Sequence, residues 1–417
     1  MENSLRHWLK KAWLYLRALL KWLALAAVTG LACGLVGTAF HKGIDCVTEL
    51  RLGHPWLLWL LPIAGLVIAG FYHLTKTEGK GTDDVIDAVH AGKPLPILLL
   101  PAIFLGTVLT HLCGGSAGRE GAALQIGGGL GFQAGKLLRL GEKDLPLATL
   151  CGMSGVFSAL FGTPLTATVF ALEVISVGVL YYAGLVPCIT AAMAAFGVSA
   201  LMGVEPTRFT VSMPRVTLEL MLPVVVLSIL CALVSILFCK GLHWTEHLLT
   251  RSFRNPWLRV LAGAVILIVL SLLTNGDYNG AGMDVIVRAL RGDVSGWAWL
   301  WKLLFTAVTI GCGFKGGEVV PSFFVGAAFG CFMGGLLGLP AGFAAAIGLV
   351  AVFCGAVNCP VASVLLSVEL FGSAGAPYFA VACALSYLLS GYCGLYSSQT
   401  ILYSKLRAEF INVRTHE

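Results

Sequence analysis

"GGSAGREGAALQIGGGLG" (residues 114–131) places Arg119 beside Glu120 between glycines, with apolar chain on either side. A charge inside the hydrocarbon zone costs roughly 2.5–3.5 kcal/mol on insertion scales, so such residues are kept for a purpose. A carboxylate stripped of water takes up a proton more readily, and once neutral it no longer competes with an anion. Glu120 therefore reads as a movable stopper over a buried anion site. Its simplest rival role is an ion pair with Arg119, but neighbours on one helix point in different directions.

The composition supports the apolar setting. Of 417 residues 58% are hydrophobic and 12% charged, where soluble domains carry about a quarter charged. The stretches Leu23–Phe40, Trp56–Leu74, Leu220–Phe238, Trp257–Leu273 and Tyr378–Leu395 approach bilayer length at about 1.5 Å per residue. The chain reads as an all-α polytopic membrane protein. In residues 1–22, Arg6, Lys10, Lys11, Arg17 and Lys21 alternate with Trp8, Leu9, Trp13, Leu16 and Leu20, which predicts an amphipathic helix lying in the interface. Lys405, Arg407 and Arg414 give the other end a matching basic charge. Both termini are then expected in the cytoplasm, with an even number of crossings between them. The net charge of +6 is what membrane flanks need and points to no nucleic acid. The thirteen cysteines form no C-x-x-C pair and read as small buried hydrophobes.

Several apolar segments are too short or too broken by Gly and Pro to be simple spans. Pro96–His111, Leu147–Phe157, Pro164–Val179, Val320–Leu336 and Pro360–Phe371 each start at or beside a proline. That pattern is the trace of half-helices meeting inside a membrane, where free N–H termini suit an anion. The chain also repeats itself. A shift of 196 carries Pro164 onto Pro360, Glu173 onto Glu369, Arg119 onto Lys315 and Gly121 onto Gly317. The halves are taken as 23–205 and 206–405, followed by a tail at 406–417. Three glycine bends mark the expected site: Gly79–Asp83, where Thr82 caps a helix, Gly118–Gly121, and Gly313–Pro321, which carries Glu318.

These bends resemble the CLC family of anion channels and proton-coupled anion antiporters over almost the whole chain. The resemblance implies two inverted halves with broken helices meeting at a central anion site. It makes Glu120 the external gate in "GREG" (118–121) and Tyr396 in "GLYSSQTIL" (394–402) a hydroxyl donor from a C-terminal helix. It also implies a homodimer with one pathway per subunit, built on "GTPLTATVFALE" (162–173) and "NCPVASVLLSVE" (358–369). The expected anion ligands are Lys80, Gly81, Thr82, Arg119, Gly121, Gly317, Val319 and Tyr396, with Glu120 and Glu318 as gating and proton-coupling groups. No cofactor is implied beyond the transported anion and protons.

The chain departs from chloride-type members in ways that matter. Lys80 falls on their coordinating serine, while a shift of two offers the Thr82 hydroxyl instead. Val174 stands in place of the internal proton-transfer glutamate, Ala122 in place of a proline, and Glu318 in place of an apolar residue. These departures resemble the bacterial CLC-F fluoride/proton antiporters, although Val320 replaces a hydroxyl residue of their "GGEVT". Export of fluoride by the proton gradient across the bacterial inner membrane is the reading. A chloride channel or chloride/proton exchanger of the same fold is the alternative. An enzyme is disfavoured, since the chain has no H-E-x-x-H and no G-x-S-x-G, and "HWTEH" (243–247) reads as interfacial.

Overall fold

The computed structural model describes residues 2–415, with side chains from Arg6 onward. The first half runs through α1 (Glu2–Gly53), α2 (Leu61–Leu74), α3 (Thr82–Ala91), α4 (Leu99–Leu112), α5 (Glu120–Leu137), α6 (Leu145–Phe161), α7 (Pro164–Glu173) and α8 (Leu185–Leu201). The second runs through α9 (Leu218–Ser252), α10 (Pro256–Leu273), α11 (Met283–Leu290) and α12 (Ala298–Gly311). It ends with α13 (Val319–Leu336), α14 (Ala341–Val357), α15 (Pro360–Phe371) and α16 (Ala376–Leu389). Short strands β1 (Ser176–Val177), β2 (Thr400–Tyr403) and β3 (Phe410–Arg414) form one small sheet in that order. Six helical stretches among the described residues are long and apolar enough to cross a membrane. The others are short, and six helices carry proline in their first two positions, where no N–H is needed.

The repeat is real, and its register has two parts. α6 and α7 lie over α14 and α15 at a shift of 196, but α4 and α5 lie over α12 and α13 at 199. The difference sits in one loop, 138–144, which is longer than its counterpart 337–340. Arg119 therefore corresponds to Glu318 and Gly118 to Gly317, which corrects the sequence match of Arg119 with Lys315.

The duplicated parts lock together crosswise. Gly118 N–H donates to the Gly317 carbonyl at 2.6 Å and Gly317 N–H returns to Gly118 at 2.7 Å. Ser116 N–H donates to Thr309 Oγ1 at 3.0 Å, and its mate Lys315 N–H donates to Thr110 Oγ1 at 3.2 Å. Within each half one helix pair crosses at backbone distance. A Cβ at Gly127 would strike the Gly152 carbonyl, and one at Gly326 would strike that of Gly348. Small residues are what allow such close crossings in lipid, where no hydrophobic force draws helices together.

α7 and α15 show the same reciprocity with charge. Glu173, ending α7, accepts from Val361 N (3.1 Å) and Ala362 N (2.8 Å) at the start of α15. Glu369 accepts from Leu165 N (3.1 Å) and Thr166 N (2.8 Å) at the start of α7. Each carboxylate thus satisfies orphan donors and the positive end of the other helix. Glu173 is the more buried of the two. Glu173→Ala is expected to destabilise the fold by about 1.5–3 kcal/mol, the scale of losing hydrogen bonds to a charged group. Denaturant titration in detergent micelles measures this, with Glu369→Ala expected to lose less. Parent-like unfolding of Glu173→Ala would make the cap dispensable.

The two ends of the chain differ from the sequence reading. α1 is one helix of 52 residues, about 78 Å long at 1.5 Å per residue, and passes through 22/23 without a break. No glycine or proline occurs between residue 2 and Gly30 to interrupt the helix. Residues 6–20 are exposed, and the Lys21–Asp144 ion pair (2.5 Å) marks where α1 meets the body. At the other end "GLYSSQTIL" is not helical. α16 stops at Leu389, Tyr396 lies in a turn, and Thr400–Tyr403 forms β2. β2 pairs parallel with β1 and antiparallel with β3, so the tail folds back onto the body as far as residue 415. β-branched Thr400 and Ile401 favour that conformation.

Candidate anion and proton site

Two helix N-termini converge on the crossing of the glycine bends. α5 begins at Glu120 with Arg119 as its N-cap, and α13 begins at Val319 with Glu318 as its N-cap. Gly121 and Gly317 make the approach possible. A Cβ on Gly317 would lie 3.0 Å from Gly121 Cα and 3.2 Å from Glu120 N, and it would overlap Gly121 N. A Cβ on Gly121 would lie 3.3 Å from Glu318 Oε2. Only glycine fits at either position, and the reason is backbone contact rather than turn conformation.

Glu120 is fully buried. Its Oε2 accepts from Arg119 N at 2.9 Å, and N–H groups of Glu120 and, from the other half, Val320 also bear on the carboxylate. The carboxylate thus occupies the donor cluster that an anion would use. Oε1 has no hydrogen-bond partner among the described residues and stands 3.6 Å from Arg119 Nε. That contact exists because Arg119 is the N-cap rather than part of the helix, so the rule about helical neighbours does not govern it. The Arg119 guanidinium is further tied to Asp45 of α1 at 3.0 Å.

A cavity of about 380 Å³ lies on the other side of the crossing. Glu318, Lys80, Gly81, Thr82 and Tyr396 line it, while Glu120, Arg119, Gly121, Gly317 and Val319 do not. Tyr396 is buried and its hydroxyl has no partner among the described residues, which leaves that donor available. The Lys80 ammonium is held by Asp84 at 3.0 Å. The Thr82 hydroxyl accepts from Gln125 Nε2 at 3.2 Å and reaches the Gly121 carbonyl at 3.5 Å, so it faces α5.

Sequence reading missed four contributors. Asp83 had been only an acidic first-turn residue of α3, but its Oδ1 accepts from Ser398 N at 2.8 Å and ties the Tyr396 turn to that helix. Gln125, one turn into α5, orients Thr82. Gln399 bridges the halves, donating to the carbonyls of Val174 (2.9 Å) and Val357 (3.0 Å). Thr415 secures the same turn, donating to the Tyr396 carbonyl at 2.5 Å. None has a local signal, because each acts on a partner far along the chain. His243 and Glu246 of "HWTEH" line the cavity mouth rather than merely facing the interface.

A family model described as "Voltage gated chloride channel" matches residues 60–391. The chain belongs to this family. A "Chloride/fluoride channel protein" of Pseudomonas syringae pv. tomato is 38% identical over 92% of this chain and 87% of its own length. An "H(+)/Cl(-) exchange transporter ClcA" of Vibrio vulnificus is 26% identical over 84% of this chain and 81% of its own. Among solved structures, a CLC-type fluoride/proton antiporter superposes with a TM-score of 0.89 at 32% identity, covering 91% of this chain and 98% of that one. A slow cyanobacterial Cl-/H+ antiporter shares the fold at a TM-score of 0.76 and 19% identity, over 88% of this chain and 94% of that one. The broken-helix, two-half architecture is thus the CLC fold, and its members are membrane channels and transporters.

Proposed function

We propose that this CLC protein exports fluoride in exchange for protons. The observation that carries the reading is a pair of carboxylates from different halves, fully buried Glu120 and half-buried Glu318, at the meeting point of two helix N-termini. Helix N-termini attract an anion, and a carboxylate there can move between occupying the site as an anion and yielding it as a neutral acid. Fluoride is small and charge-dense, and it accepts short hydrogen bonds from acids and hydroxyls more strongly than chloride does. Glu120, Glu318 and Tyr396 are the working residues. Thr82, Gly81, Gly121, Gly317 and Val319 supply the surrounding backbone and hydroxyl groups. Lys80 and Arg119 act through their carboxylate partners. No cofactor or nucleic acid enters the reading.

The test is efflux from proteoliposomes, with fluoride and chloride electrodes and a pH electrode run in parallel. Fluoride movement that drives proton movement in the opposite direction supports the reading. Faster chloride than fluoride moves the chain to the chloride branch. Anion flux with no proton movement makes it a channel.

The protein is further read as a homodimer with one pathway per subunit, in the bacterial inner membrane with both termini cytoplasmic. α7 and α15 pair through their reciprocal caps and leave apolar Leu165 (51% exposed) and Val361 (47%) facing outward. A cysteine at Leu165 or Val361, introduced after removing exposed Cys46, is expected to cross-link a dimer in native membranes. Monomer alone at both positions would discard this interface.

A further inference from the structure

The crosswise lock at the 313–318 bend needs only the backbone of residue 315, whose N–H donates to Thr110. In the other half, Ser116 does the same job with a short side chain. The long side chain of Lys315 is therefore not required by the frame. It extends along the cavity wall, and its ammonium lies 4.3 Å from the centroid of the Tyr72 ring. The charged groups that bear on it are Glu246, Arg259 and Glu318. Arg259 lines the same cavity, gives one N–H to Thr250 Oγ1 at 2.9 Å, and has a buried Nε with no partner among the described residues. Its guanidinium also borders Gly313, at the start of the same bend. The third cation on the cavity wall, Lys80, is already held by Asp84.

We propose that Lys315 and Arg259 form a loading site for a small monovalent anion on the cavity side of Glu318. The inference rests on the anion-transport reading and adds a second binding step to it. The Arg259 guanidinium has one N–H on Thr250, Lys315 rests its ammonium on the Tyr72 ring, and both residues line the cavity. An anion held there neutralises two cations beside Glu318. It is then close enough to pass to the helix N-termini when Glu120 withdraws. Glu246, exposed at the mouth, tempers the positive field so that the anion is captured without being trapped.

The test is the fluoride dependence of efflux from proteoliposomes for Lys315→Met and Lys315→Arg. Loss of one charge-assisted hydrogen bond is expected to raise the half-saturating fluoride concentration about tenfold in Lys315→Met. The rate at saturating fluoride should persist, and Lys315→Arg should restore the parent value. An unshifted half-saturation in Lys315→Met overturns the site. So does a lost maximal rate that arginine fails to rescue, because that pattern marks a packing role against Tyr72. If Lys315→Met does not fold, Arg259→Gln is measured in the same way and must show the same shift. A parent that moves chloride instead of fluoride fails the fluoride reading alone. The loading site then stands or falls on the same shift read with chloride.

Discussion

Glutamine in place of Glu120 is expected to leave anion movement running while proton movement falls by at least about a hundredfold, the scale of losing an acid–base group. The Glu120 carboxylate accepts from Arg119 N and is faced by N–H groups of both halves, so in the proposed cycle it fills, as an anion, the place of the transported ion. An amide of the same shape keeps the packing beside Gly118, where an added Cβ would come within 2.5 Å of Oε2. It offers no negative charge to those donors and carries no proton across. The anion then gains the cluster without competition. Proteoliposomes loaded with fluoride give the readout, with a proton ionophore as the reference for full equilibration. Uphill proton pumping at the parent rate by Glu120→Gln would falsify the gate assignment. A variant that moves neither ion, with an intact elution profile, would place Glu120 in anion binding rather than in gating.

The legible parts of this fold were those written in local chemistry. Prolines fixed the starts of the short helices, and the glycine bends marked where helix ends come together. The Pro164/Pro360 and Glu173/Glu369 matches exposed the duplication, because α6–α7 and α14–α15 keep one shift. What escaped reading depended on distance along the chain. The three residues by which loop 138–144 exceeds 337–340 moved Arg119 from Lys315 to Glu318, and a surface loop carries no mark of such an insertion. The roles of Glu173 and Glu369 lay in donors 188 to 204 positions away, beyond the reach of any local pattern. The Tyr396 segment was read as helix but is a turn leading into a strand. Its strand exists because β1 and β3 supply partners, and tertiary pairing decides strand formation in short segments.

Glu318→Ala is expected to abolish fluoride-driven proton movement while the protein still elutes as the parent does. Glu318 is the N-cap of α13, and its Oε2 would stand 3.3 Å from a Cβ on Gly121, at the pinch between the halves. It lines the cavity that Tyr396 and Lys315 also line, so water reaches it from one side. Glu120 lies off that cavity. The two carboxylates are thus placed to serve one proton route from different sides of the crossing. A permanently charged Glu318 would repel an anion from the α13 N-terminus, whereas a protonated one donates a hydrogen bond to it. Val174, fully buried, cannot substitute, because its side chain holds no proton and its carbonyl is taken by Gln399 at 2.9 Å. The alanine variant removes donor and charge together, and Glu318→Gln separates them by keeping a donor without a titratable proton. Both should lose proton coupling, and only glutamine should retain appreciable fluoride flux. Proton exchange at the parent rate in Glu318→Ala would make Glu318 a structural cap of α13. Equal loss of fluoride flux in both variants, with folding intact, would show that fluoride movement needs the titratable proton of Glu318 and not merely a hydrogen-bond donor there.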